Sequence, residues 1–255
     1  MIAVLFHQPT KWRFYSLSIC LLLSVNSDAL SMQDLFPVIA LDAGVSTSFD
    51  VGTSQNFPAT DTNSQFYDYA ANTSRQSVGL AGIFLGFESR TPTPWLIQTG
   101  VSYHQSNAFT AQGTLTQGLD TASQDTYNYQ YDILVRQLLL ESKWLYTMNQ
   151  YHPYVLAAAG VAFNTASNYT TTVPADINLT SDYQNHTSTS FSYALGFGLD
   201  TELSDHVRLG LGYRFTDLGR AQLGNATYNA IPVTGGLGQT HLYAQQLLAQ
   251  VSYIF

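Results

Sequence analysis

The chain has 255 residues, of which 45% are hydrophobic, 13% aromatic and only 10% charged, with a net charge of −8. An average soluble domain carries about 25% charged residues, so this composition excludes a disordered chain, a charge-laced helical bundle and, with its sign, a nucleic-acid binder. The 17 Tyr and 14 Phe favour strands over helices.

The first element is an export signal. Lys11 and Arg13 precede an apolar stretch from Phe14 to Val25, and Ser27 and Ala29 then stand two apart, as at a signal-peptidase site. Twelve residues in a helix span roughly 18 Å, too short for a hydrocarbon core of about 30 Å. Residues 1–29 are therefore expected to be a cleaved signal and residues 30–255 a single mature domain. Cys20 leaves with the signal, so disulfides and cysteine-held metals are not expected. The mature part keeps seven Lys and Arg against 16 Asp and Glu.

Eight segments with period-two alternation follow. Residues 38–49 set Ile39, Leu41, Ala43, Val45 and Phe49 against Asp42, Gly44 and Ser46. Residues 77–88 set Ala81, Ile83, Leu85 and Phe87 against Gly82, Gly86 and Glu88, with Leu80 and Phe84 breaking the pattern. Residues 95–104 set Trp95, Ile97, Val101 and Tyr103 against Gln98, Gly100, Ser102 and His104. Residues 134–146 set Leu138, Leu140, Trp144 and Tyr146 against Gln137, Glu141 and Lys143. Residues 153–163 set Val155, Ala157, Ala159, Val161 and Phe163 against small residues. The alternation is cleanest over 190–200, over 207–216 and from Tyr243 to Phe255. At about 10–13 residues each, these segments exceed the usual soluble strand and suit a tilted membrane crossing of about 9–11.

One face is large and apolar, the other small with isolated charges, the pattern of a narrow barrel in lipid rather than of a soluble sandwich. Trp95, Tyr103, Trp144, Tyr146, Tyr213, Phe215, Tyr253 and Phe255 sit at segment ends, where interfacial aromatic girdles are expected. Asp42, Glu88, Glu141, Lys143, Asp200, Arg208 and Arg214 fall on the small face. They are expected to form a lumen charge network, with Arg208 and Lys143 bridging the acids and closing the barrel.

The connections alternate in length. Residues 89–94, 147–150 and 201–205 are short; 50–76, 105–132, 164–189 and 217–241 are long. Outer-membrane barrels share this asymmetry, with short periplasmic turns and long outer loops. The mature chain resembles the small eight-stranded outer-membrane barrels of Gram-negative bacteria, of the outer membrane protein A, X and W types and the opacity type. Its last strand, Leu247 to Phe255, ends in Phe as their assembly signal does. The resemblance implies an all-β, up-and-down antiparallel barrel, monomeric, among outer-membrane lipids and lipopolysaccharide, and recognised by the barrel assembly machinery. It implies a structural or surface role towards host or surface ligands, without nucleic acid or cofactor. The alternatives are a narrow channel or lateral route for small or apolar solutes and a lipid A hydrolase.

The hydrolase alternative rests on His104-Gln105-Ser106-Asn107-Ala108, which resembles the His-x-Ser-Asn-Ala stretch of the lipid A deacylases. It lies in the third segment rather than near the C-terminus, the family's Asn-Pro-Gly element is missing, and Asp120 is a loosely placed acidic partner. No catalytic or metal-binding residue is assigned.

Overall fold

The computed structural model describes residues 35–57, 66–90, 92–119, 122, 124–172, 182–228, 231–233 and 236–255. The proposed signal lies outside them. The described residues form sixteen strands and no helix: β1 Leu35–Ser48, β2 Gln55–Phe57, β3 Phe66–Ala71, β4 Gln76–Arg90, β5 Trp95–Ser106, β6 Phe109–Gly118, β7 Gln124–Tyr146 and β8 Tyr151–Thr172 come first. β9 Asp182–Tyr183, β10 His186–Ser204, β11 Val207–Asp217, β12 Ala221–Gln222, β13 Ala226–Tyr228, β14 Ile231–Val233, β15 Gly238–Gln239 and β16 Tyr243–Ile254 complete the set.

Eight of these strands pair in a closed antiparallel ring, β1-β4-β5-β7-β8-β10-β11-β16 and back to β1. Register fixes its geometry. Partners of Leu41 traced through Ile83, Tyr103 and Leu138 arrive at Val161 on β8. Traced the other way, through Val251, Leu209 and Thr201, they arrive at Tyr151. The offset from 151 to 161 is a stagger of ten residues. With a strand spacing of about 4.8 Å and a rise of about 3.3 Å per residue, it tilts the strands about 41°.

The alternation sorts as its chemistry requires. Leu41, Leu140, Leu211 and Phe191 point outward, each 60–67% exposed. Soluble monomers rarely expose contiguous apolar patches beyond a few hundred Å², so this band is a lipid surface. Asp42, Glu88, Glu141, Lys143, Asp200, Arg208 and Arg214 point inward and are all buried.

Three expectations need correction. Leu80 and Phe84 do not break the alternation: both are buried on the inward face, Phe84 packing with Val38, Ala40 and Ile254. Size is therefore not what sorts the faces; inward-facing Leu139 and Leu145 are also fully buried. Nor are the long connections unstructured. Residues 105–132 are mostly β6 and the first half of β7, while β8 runs on to Thr172 and β10 starts at His186.

β7, with 23 residues, spans about 76 Å along its axis, about twice what a crossing needs. Its polarity inverts along the way. From Tyr146 to Leu138 its outward residues are apolar except for Ser142, and its inward ones include Lys143 and Glu141. From Arg136 to Thr126 the outward residues are largely polar, and Val135, Ile133, Tyr131, Tyr129 and Tyr127 are buried on the inward side. The same strand is a membrane strand at one end and a soluble one at the other.

A bulge aligns β8 with this extension. Gln130 pairs with Thr170 but Asp132 with Ser167. Asn168 takes the extra position with φ 57°, a left-handed value that Asn tolerates. Its Nδ2 donates to Asp132 Oδ2 at 3.0 Å. The extra residue turns Thr170 and Thr172 to the outside.

Candidate functional site: the lumen network and the cap above it

The inward charges form linked groups. Near the short-turn end, both terminal nitrogens of Arg208 reach the two oxygens of Glu88, one of them at 3.3 Å. Gln98 Nε2 donates to the same carboxylate at 2.8 Å, and Arg90 Nε approaches it at 3.3 Å. Glu202 lies 3.4 Å from Arg208 and 2.9 Å from His152 Nε2. Next, Lys143 Nζ donates to Asp200 Oδ2 at 2.6 Å and to Gln250 Oε1 at 2.8 Å. It also sits 4.0 Å over the Tyr154 ring.

The inward glycines make room for that ring. A Cβ at Gly198 or Gly212 would collide with Tyr154. In the third group, His104 Nε2 lies 3.2 Å from Asp42 Oδ2 and 3.2 Å from Arg214 Nη1. Arg214 Nε donates to Gln246 Oε1 at 2.7 Å, and Glu141 is 4.0 Å away. The cavity between the second and third groups, lined by Asp42, Glu141, Lys143, Tyr154 and Arg214, is 30 Å³, room for one or two waters.

Asp42, Glu88, Glu141, Lys143, Asp200, Arg208 and Arg214 are each buried on the inward face. Arg208 takes Glu88, Lys143 takes Asp200, and Arg214 lies against Asp42's histidine. The sequence reading missed His104 and His152 as members. Both fall on the inward parity: His104 faces Asp42, and His152 faces Glu202, which also borders Arg208. His104 turns to Asp42 and Arg214 rather than to Ser106: neither His104 Nδ1 nor Ser106 Oγ has a hydrogen-bond partner. Asp120 lies outside the described residues.

Of the aromatic residues expected in girdles, Trp95 and Tyr146 meet edge to face at 5.1 Å, as do Tyr253 and Phe255 at 4.8 Å, all towards the short-turn end. Trp144 is exposed on the same outward face of β7. Towards the other end, Phe215 stacks on Tyr243 at 5.8 Å, Tyr213 lies 5.3 Å from Phe197, and Tyr103 is exposed. Tyr243, which opens its alternating segment, and Phe197, in the middle of its own, join these outward ring contacts without having been assigned to a girdle.

Above the polar network the interior becomes apolar. Phe109, Leu115, Ile133, Leu218, Leu223, Leu237 and Leu242 join Tyr67, Tyr69, Tyr129 and Tyr131 in one buried cluster fed by six strands and the final connection. Tyr69 and Tyr169 share a 3.3 Å hydroxyl contact, and Tyr183 packs edge-on to both. The cluster caps the long-connection end of the barrel.

Burial pushes the Tyr129 hydroxyl up to about 12, and those of Tyr69, Tyr131, Tyr169 and Tyr183 are also raised, chiefly by desolvation. An unfolded tyrosine ionises near pH 10. A raised folded value means that the cap has its full stability below about pH 10 and loses it as pH climbs through about 12. A spectrophotometric titration is expected to show these tyrosines ionising late, in one step with cap opening. Ionisation at ordinary tyrosine pH with the cap intact would contradict the packing.

A family model described as the outer membrane protein beta-barrel domain matches residues 18–255. No curated protein matches the chain. Among solved structures, it is similar to Neisserial surface protein A at 12% identity, covering 86% of this chain and 97% of that one, with a TM-score of 0.43. It is similar to OprG from Pseudomonas aeruginosa at 14% identity, covering 86% and 95%, with a TM-score of 0.46. The outer membrane protease OmpT from Escherichia coli shows 9% identity, 89% and 99% coverage and a TM-score of 0.47.

Proposed function

Because the chain belongs to the outer membrane protein beta-barrel domain family, we propose that it is a closed-lumen barrel of the cell outer membrane whose work is structural or adhesive and done at the cell surface. The observation that carries this reading is the cap. The strands run on past the lipid band, invert their polarity and enclose an apolar core of their own. A solute channel has no use for such a core across its mouth. The ion-paired lumen, whose cavity beside Lys143, Glu141 and Arg214 is only 30 Å³, also argues against a narrow channel, and His104 held by Asp42 and Arg214 argues against a hydrolase. In this reading the barrel is monomeric, its outward band meets lipid and lipopolysaccharide, its C-terminal strand addresses the assembly machinery, and its outer sheet meets host or surface ligands.

Two measurements test this. Purified barrel in planar bilayers is expected to be electrically silent; a sizeable steady conductance in the wild type would overturn the closed lumen. An epitope tag after Leu119, which is 65% exposed, is expected to be reached by antibody on intact cells. One between Asp205 and His206 should be reached only after permeabilisation. The reverse pattern would turn the proposed working surface towards the periplasm.

A further inference from the structure

The outward face of the extracellular sheet carries an ordered set of uncharged polar side chains. Register places Gln112 beside Gln130 and Gln130 beside Thr170, with the Asn72 backbone bonded to Gln112. The next rung places Ala70 beside Thr114, Thr114 beside Asn128 and Asn128 beside Thr172. The two rungs cross β3, β6, β7 and β8 and line an open groove of 720 Å³, within the roughly 300–1,000 Å³ of small-molecule sites. Gln112, Thr114, Asn128, Gln130, Thr170 and Thr172 are exposed, and among the described residues their side chains bond to no other protein group.

Solubility alone does not demand this chemistry. The surfaces of soluble domains ordinarily carry about 25–35% Lys, Arg, Glu and Asp. Here β3, β6 and β8 carry no Lys or Arg, and Arg136 is the one cation on β7 above the lipid band. Asp68 on β3 and Asp132 on β7 flank the two rungs, where they oppose an anionic ligand. Amides and hydroxyls can each donate and accept, which matches the hydroxyls of a neutral sugar, and they bring no positive charge to favour a phosphate.

Position names the occupant. The ladder continues the outward surface of the strands that contact lipid. Gln130 stands eight residues beyond Leu138, about 26 Å along β7 and roughly 20 Å along the membrane normal at the ring's tilt. The neighbours at that height are the headgroups of the surrounding outer-leaflet lipids.

We propose that this ladder binds uncharged saccharide, namely the sugar headgroups of the glycolipids that surround the barrel in the outer leaflet. The proposal deepens the surface role given above and rests on it. The Asn168 bulge is part of the site, because it brings Thr170 and Thr172 to the outward face.

The test uses the full chain, folded in nanodiscs, and core oligosaccharide that has been released from lipopolysaccharide and dephosphorylated. Binding followed by saturation-transfer NMR is expected for the wild type and should persist at high ionic strength. Gln112→Ala with Gln130→Ala removes two amides and should weaken it about tenfold, with heat-modifiable gel mobility unchanged. Thr170→Val with Thr172→Val keeps volume and strand propensity and should also weaken it, which covers a failure of the first variant to fold. Binding only of the phosphorylated sugar, or equal binding by wild type and folded variants, would overturn the proposal. A wild-type barrel that is silent in bilayers and correctly oriented on cells, yet indifferent to the sugar, would sink this proposal while leaving the surface role in place.

Discussion

Arg208→Ala is expected to lower the unfolding free energy of the barrel by about 3–5 kcal/mol, because it leaves Glu88 as an unpaired charge in a closed interior. Glu88 is fully buried, and Arg208 holds both of its oxygens. Gln98 and the half-exposed Arg90 are its only other partners among the described residues. Removing both charges should cost much less: Glu88→Gln with Arg208→Met is expected to recover most of the loss, since replacing a buried pair by apolar groups of similar size is often near neutral. Urea unfolding of the barrel in detergent reads both. A loss below about 1 kcal/mol for Arg208→Ala, the range of exposed pairs, would mean that water already fills this part of the lumen. Lys143→Ala should behave similarly through Asp200, which is buried and held at 2.6 Å.

Phe109→Ala is expected to open the cap and spare the ring. Phe109 is completely buried at the start of β6, within the cluster that also holds Ile133 and Leu218. Truncating a buried Phe costs about 3–5 kcal/mol. The cap has its own apolar core while the ring is held by eight mutual pairings, so the loss should appear as local opening. Hydrogen exchange is expected to rise over residues 109–118 and 124–133, and to stay low over 136–146. Uniform exchange along β7 would show that cap and ring unfold as one unit.

The closed ring and the side that each lipid-facing residue takes were legible in the sequence, because period-two alternation survives any register error that keeps parity. The lumen charges were legible as a set for the same reason. Their partners were not. Glu88 and Arg208 are 120 residues apart, and the ten-residue stagger decides which inward side chains share a level. Phe84 misled the reading because the inward face was identified by size, whereas burial depends on direction.

The cap was the larger omission. Tyr127, Tyr129, Tyr131, Ile133 and Val135 alternate as regularly as any membrane segment, but with the faces exchanged. A pattern matched to apolar-out strands reads that exchange as the end of a strand. By itself, then, the sequence determined that eight strands cross, which residues meet lipid and which charges point inward, since these follow from local alternation and the cost of a charge in hydrocarbon. Only the tertiary structure decided which charges pair, that the strands continue beyond the lipid band, and that an apolar core lies at the long-connection end. Those features depend on barrel stagger and on contacts between distant connections, which the local pattern of apolar and polar residues does not encode.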